Sequence, residues 1–150
     1  MFRALVLTVP LLLMGFAAQA LPPCAPPVEM RDLSITRVEK NGVLVATDGR
    51  ALRLEGVLLP AGPRDRAPQE WADRAISTLS ELASGHLVTV AAQVPKRDRY
   101  GRTRGQVFET EDGEIWLQTV LLRKGLGRVS IAPDRRECVS ELYAAEADAR

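Results

Sequence analysis

Histidine and cysteine are scarce in this 150-residue sequence, which holds one His, His86, and two Cys, Cys24 and Cys138. One imidazole gives poor support to a Ser-His or Cys-His nucleophile pair. Two Cys and one His cannot build a metal site of those residue types. His86 lies in an apolar stretch, where a structural role is expected. An excess of either charge is also lacking, with 20 basic against 19 acidic residues. A nucleic-acid binder usually carries a basic footprint, so any such site here must be local. Internal repeats and low-complexity segments are absent.

Long apolar runs are absent except for one, Ala4 to Ala18, which follows Arg3 and leads into the small-x-small sequence Ala18-Gln19-Ala20. This is the layout of a secretory signal peptide over residues 1–20. The run is short for a membrane span and contains Pro10, so cleavage is expected rather than anchoring. The two prolines before Cys24 suit an acyl-anchoring signal badly. The mature chain is expected to be secreted or periplasmic, with no membrane span. Without Arg3 it carries 19 basic and 19 acidic residues. An oxidising compartment favours a Cys24–Cys138 bridge over two unrelated thiols. The remaining length suffices for one domain with a core.

Residues 21–32 read as a Pro-rich extended leader and 33–150 as the domain. Leu33 to Val38 reads as a first strand. Val43 to Thr47 and Ala51 to Leu58 flank Asp48-Gly49, a hairpin signal. Alternation in the second arm puts Leu52 and Leu54 inside and Arg53, Glu55 and Val57 outside. Pro68 opens a helix with Trp71, Ala75, Leu79 and Leu82 at helical spacing, closed by Gly85. Leu87 to Ala92 is a strand and Val94 to Arg104 a charged loop. Gln106 to Thr110 and Glu114 to Leu117 flank a second turn, Asp112-Gly113. Gln118 to Lys124 is a short helix. Asp134 with Glu137 resembles a capping box for a last helix, whose inner stripe is Cys138, Leu142, Ala145 and Ala149. Hairpin-linked short strands with inserted helices argue for a small barrel rather than a parallel sheet.

Four blocks in this order carry a resemblance. They are Arg53-Leu54-Glu55-Gly56-Val57 with Pro60, Asp98-Arg99-Tyr100-Gly101-Arg102, Leu121 to Gly127, and Cys138 with Glu141-Leu142, Ala145-Glu146 and Ala149-Arg150. Together they resemble the staphylococcal nuclease (thermonuclease) family from about Ile35 onward. The resemblance implies an α+β, mostly β fold, a five-stranded OB-type barrel with about three helices. It also implies Ca²⁺-dependent phosphodiester hydrolysis. In that chemistry two arginines clamp the phosphate, a glutamate activates water, and aspartates hold the ion.

By resemblance, Arg53 and Arg102 match the two catalytic arginines, and Arg99 and Tyr100 match residues that touch a terminal phosphate. The carboxylate positions differ. Leu58 stands where the family has a metal-ligating aspartate, and Ala61 where it has the catalytic glutamate. Asn41 falls at or next to another ion-binding aspartate, and Ile131 replaces a phosphate-contacting tyrosine. Loss of a general base commonly costs about 10²–10⁴-fold in rate. Glu39, Glu55 and Glu70 do not fall at the base position, and Glu55 is expected to pair with Arg53. The Lys96–Arg104 loop holds Lys96, Arg97, Arg99, Arg102 and Arg104 around Tyr100, and such interleaving can track a single strand by charge and stacking. Trp71 and Trp116 are expected to be packing residues.

The sequence thus points to an exported, catalytically impaired domain with an arginine-lined phosphate groove. Its partner would be a phosphate-containing ligand, single-stranded nucleic acid or an envelope protein, with no cofactor. A working secreted nuclease, which would need Ca²⁺, and a purely structural envelope domain are the two alternatives. They differ in whether Arg53 and Arg102 converge in an open groove, and in whether a carboxylate lies beside them.

Overall fold

The computed structural model describes residues 21–111 and 114–150. The expected signal peptide at 1–20 and the expected turn Asp112-Gly113 lie outside the described residues.

The described residues form eight strands and three helices. They are β1 (Val28–Val38), β2 (Leu44–Ala46), β3 (Ala51–Leu54), β4 (Val57–Leu58), α1 (Gln69–Ala83), β5 (Leu87–Ala91), β6 (Thr103–Glu109), β7 (Ile115–Trp116), α2 (Leu117–Arg123), β8 (Arg128–Val129) and α3 (Val139–Ala147). A 3₁₀ turn, Gly62–Asp65, precedes α1. β1 pairs antiparallel with β2 and β5, β2 with β3, and β5 with β6. The parallel β3–β6 pairing closes the ring into a five-stranded OB-type barrel with three helices. The short β4 and β8 pair separately.

Apolar side chains at alternate positions of these strands fill the barrel, among them Leu33, Ile35, Leu44, Leu52, Leu54, Val88, Val90 and Val107. Ala75, Leu79 and Ala83 of α1 and Leu117 and Leu121 of α2 cover it. A second cluster packs Leu122, Leu142, Ala145 and Val57 between α2, α3 and β4. Burying such side chains contributes roughly 1.5–3 kcal/mol each.

Several local expectations are corrected. β1 starts at Val28, since Val28 and Met30 pair with Ala91 and Val90. The second hairpin arm is not continuous. Gly56, at φ +82°, breaks it, so Val57 turns inward and is buried instead of outward. A side chain at Gly56 would also meet Leu142 Cδ1 at 2.6 Å. The inner stripe of α1 is Ala72, Ala75, Leu79 and Ala83. Trp71 lies outside it, exposed and with Arg74 over its ring at 5.2 Å. Arg104 belongs to β6 rather than to a loop. The Asp134/Glu137 capping box does not form. α3 starts later, after Cys138, which sits at φ +57° and makes no side-chain cap hydrogen bond. Ala149 is exposed beyond the helix.

Cys24 and Cys138 are joined in a disulfide. Among the described residues no helix is long and apolar enough to cross a membrane.

Candidate anion-binding site

The β3–β6 register places Arg53 directly beside Arg104. Two like charges side by side on one edge are unfavourable unless something compensates them. Glu55, two residues on and just past the end of β3, compensates one of them, with its Oε2 3.4 Å from Arg104 Nε. The same oxygen lies 3.6 Å from Arg135 Nη1. Arg53 makes no hydrogen bond or ion pair among the described residues, and its side chain is exposed. The expected Glu55–Arg53 pair is therefore replaced by Glu55 with Arg104 and Arg135. Burial pushes the Glu55 carboxyl above its ordinary range, opposed by the charges of Arg104, Arg135 and Arg53.

The loop before β6 is built by Asp98. Its Oδ1 accepts the backbone N–H of Tyr100 at 2.9 Å and of Arg102 at 3.0 Å, and its Oδ2 accepts Arg102 Nε at 2.8 Å. The Asp98 N–H donates to the Arg102 carbonyl across the turn, with Gly101 at φ +78°. Burial raises the Asp98 carboxyl, but these bonds outweigh it and hold the group below the ordinary aspartate range. The spacing of four in DRYGR thus lets one carboxylate staple the turn and aim Arg102.

Arg53, Arg97, Asp98, Arg99, Tyr100, Arg102 and Arg104 line a single open pocket of about 390 Å³. Five arginines therefore line the pocket with one carboxylate, Asp98, which Arg102 already engages. The Arg99 and Arg102 guanidinium groups each lie 4.9 Å from the Tyr100 ring centroid. The ring thus orders two arginines, and less of its face is left for a base to stack on. Lys96 points elsewhere. Its ammonium pairs with Glu29 of β1, and it does not line the pocket.

Arg53 also lines a second cleft, of about 570 Å³, between β3, β4, the 3₁₀ turn and α1. Asn41, Leu58 and Ala61 all line this cleft. The three positions at which the family resemblance expects acidic groups are thus gathered in one place. None of the described residues lining it is a carboxylate. The Asn41 Oδ1 already accepts the Val43 N–H at 3.1 Å. A hard divalent cation takes six or more oxygens, mostly carboxylate, so the residues present do not fit Ca²⁺. Glu70 is in the first turn of α1 and Glu39 is beside Arg37 at 3.5 Å; neither lines the cleft. Ile131 lines a small pocket of about 180 Å³ with Arg53, Glu55 and Arg104.

Arg135 is the residue that sequence reasoning missed. Its side chain is 1% exposed, and besides Glu55 it donates to the backbone carbonyls of Gln93 and Pro95. The one available signal was Glu55 itself, an acid between apolar residues and before a glycine, which needs a cationic partner when buried.

A family model described as staphylococcal nuclease homologue matches residues 51–150, two thirds of the chain. The match runs from β3 to the end of the chain and includes every residue of the arginine pocket. No curated protein matches the sequence.

Proposed function

The chain belongs to the staphylococcal nuclease homologue family, and from that membership we propose that it is an exported, non-catalytic member. It binds a phosphate-containing ligand, single-stranded nucleic acid being the form to test first. One observation carries this reading: Arg53 stands between two clefts of opposite chemistry. On one side five arginines line an open pocket, Arg53, Arg97 and Arg99 being exposed. On the other, Leu58, Ala61 and Asn41 occupy a cleft with no carboxylate among its described residues. The first supplies bidentate donors for phosphate oxygens. The second supplies neither a proton acceptor for water nor a cage for a cation. Three nearby carboxylates are already engaged, Asp98 by the turn, Glu55 by Arg104 and Arg135, and Asp65 by the Ala61 N–H. A purely structural role fits poorly with an exposed Arg53 that has no ion pair among the described residues. The disulfide supports an oxidising compartment, secreted or periplasmic.

The test is binding of a fluorescent oligothymidylate, followed by anisotropy at 50 and 200 mM NaCl. Neutralising two or three phosphates of a single strand gives a salt slope of about −0.7 per phosphate, so affinity should fall roughly 7- to 18-fold over that range. Arg53→Ala/Arg102→Ala should weaken binding at low salt and flatten the slope. Salt-independent binding, or a slope unchanged in the double variant, contradicts the proposal.

A further inference from the structure

At the far end of β6 from the arginines, roughly 20 Å along the strand at about 3.3 Å per residue, three ligating side chains meet. His86 follows Gly85 in the turn between α1 and β5, and its backbone is held by Ala83 and Ile35. Glu109 is the last residue of β6, paired across the barrel with Val88, and is 2% exposed. Glu111 folds back so that its N–H donates to Glu109 Oε1 at 2.5 Å, which brings both carboxylates to the same side. His86 Nδ1 lies 3.1 Å from Glu111 Oε2 and 3.7 Å from Glu109 Oε1. All three ligand atoms lie within 4.8 Å of one another.

We propose that His86 Nδ1, Glu109 and Glu111 form a binding site for a zinc-class divalent ion, with water completing the shell. Two observations beyond the clustering support it. First, bonds of about 2.0–2.1 Å in a tetrahedral shell place neighbouring ligand atoms about 3.3 Å apart, and the two His86 distances bracket that value. Second, Nδ1 is shut off from solvent and makes no aligned hydrogen bond among the described residues, although two carboxylates surround it. One nitrogen and two carboxylate oxygens suit zinc and its neighbours better than Ca²⁺ or Mg²⁺. Carboxylates complete a ligand set that the few His and Cys alone do not supply. Bound metal would clip the α1–β5 turn to the end of β6, independently of the arginine pocket.

The single histidine gives a clean readout. Tag-free oxidised protein would be titrated with ZnCl₂ by calorimetry, and the His86 ring nitrogens followed by NMR. The expected result is one ion per chain, a shifted Nδ1 resonance and a raised Tm in ZnCl₂. His86→Ala and Glu111→Gln should each weaken binding by about 10-fold or more, while Arg53→Ala/Arg102→Ala should leave it unchanged. MgCl₂ and CaCl₂ should not compete at equal concentration. An unshifted His86 resonance, substoichiometric binding, or affinity unchanged in both site variants would overturn the proposal. A ring that titrates with pH but ignores zinc would assign the cluster to an ion pair instead.

Discussion

Replacing Cys24 and Cys138 together with serine is expected to lower the free energy of unfolding by about 4 kcal/mol. The bridge spans 114 residues and so closes almost the whole barrel into one loop. In the chain-entropy model the closed loop restricts the unfolded ensemble, and the restriction grows slowly with loop length. The bridge also ties the leader before β1 to the N-terminal end of α3, where the Cys138 backbone is already in the left-handed region. Domains of this size are stable by roughly 5–15 kcal/mol, so the loss takes a large share. Urea unfolding of the oxidised protein and the double-serine variant measures it directly. A difference below about 1 kcal/mol would mean that packing of α3 alone holds the C-terminal segment.

Arg135→Ala is the second large effect, expected at about 3–5 kcal/mol. The guanidinium is buried between Glu55, Gln93 and Pro95. Its removal leaves two carbonyls without a donor and Glu55 with only Arg104 close by. Glu55 already titrates above its ordinary value, chiefly because it is buried. Losing Arg135 removes one of the charges that hold it down, so its folded pKa rises further. A carboxyl raised on folding contributes stability below its unfolded pKa and loses it as pH rises through the folded pKa. The deficit of Arg135→Ala should therefore be largest at neutral pH and shrink on acidification into the glutamate range. Adding Glu55→Gln should recover part of the loss at neutral pH. Thermal unfolding at two pH values checks this, and a deficit that does not vary with pH contradicts the role given to Glu55.

Both effects mark the boundary of what local sequence reveals. The barrel was legible because its signals are local. Asp48-Gly49 forces a hairpin, strands alternate across it, and α1 and α2 carry apolar stripes. The arginine loop was legible too, since the Asp98–Arg102 spacing is itself the turn. What stayed hidden depends on distant partners. Glu55 was assigned to its neighbour Arg53, yet the register sets Arg104 beside it and brings in Arg135 from 80 residues away. Alternation along an unbroken strand puts Val57 outward, and Gly56 breaks the strand. The Asp134/Glu137 pattern alone starts α3 too early, since the helix begins only after the bridged Cys138. His86 lies in an apolar stretch of sequence, whereas its neighbours in space are Glu109 and Glu111.

The central claim is that the phosphate clamp is present while the machinery for hydrolysis is not. Its most direct test is cleavage of single-stranded DNA and RNA by the oxidised protein, with Ca²⁺ and then with a chelator, beside Arg53→Ala/Arg102→Ala. The account predicts no Ca²⁺-dependent cleavage above the double variant. Ca²⁺-dependent cleavage that disappears in the double variant would contradict it.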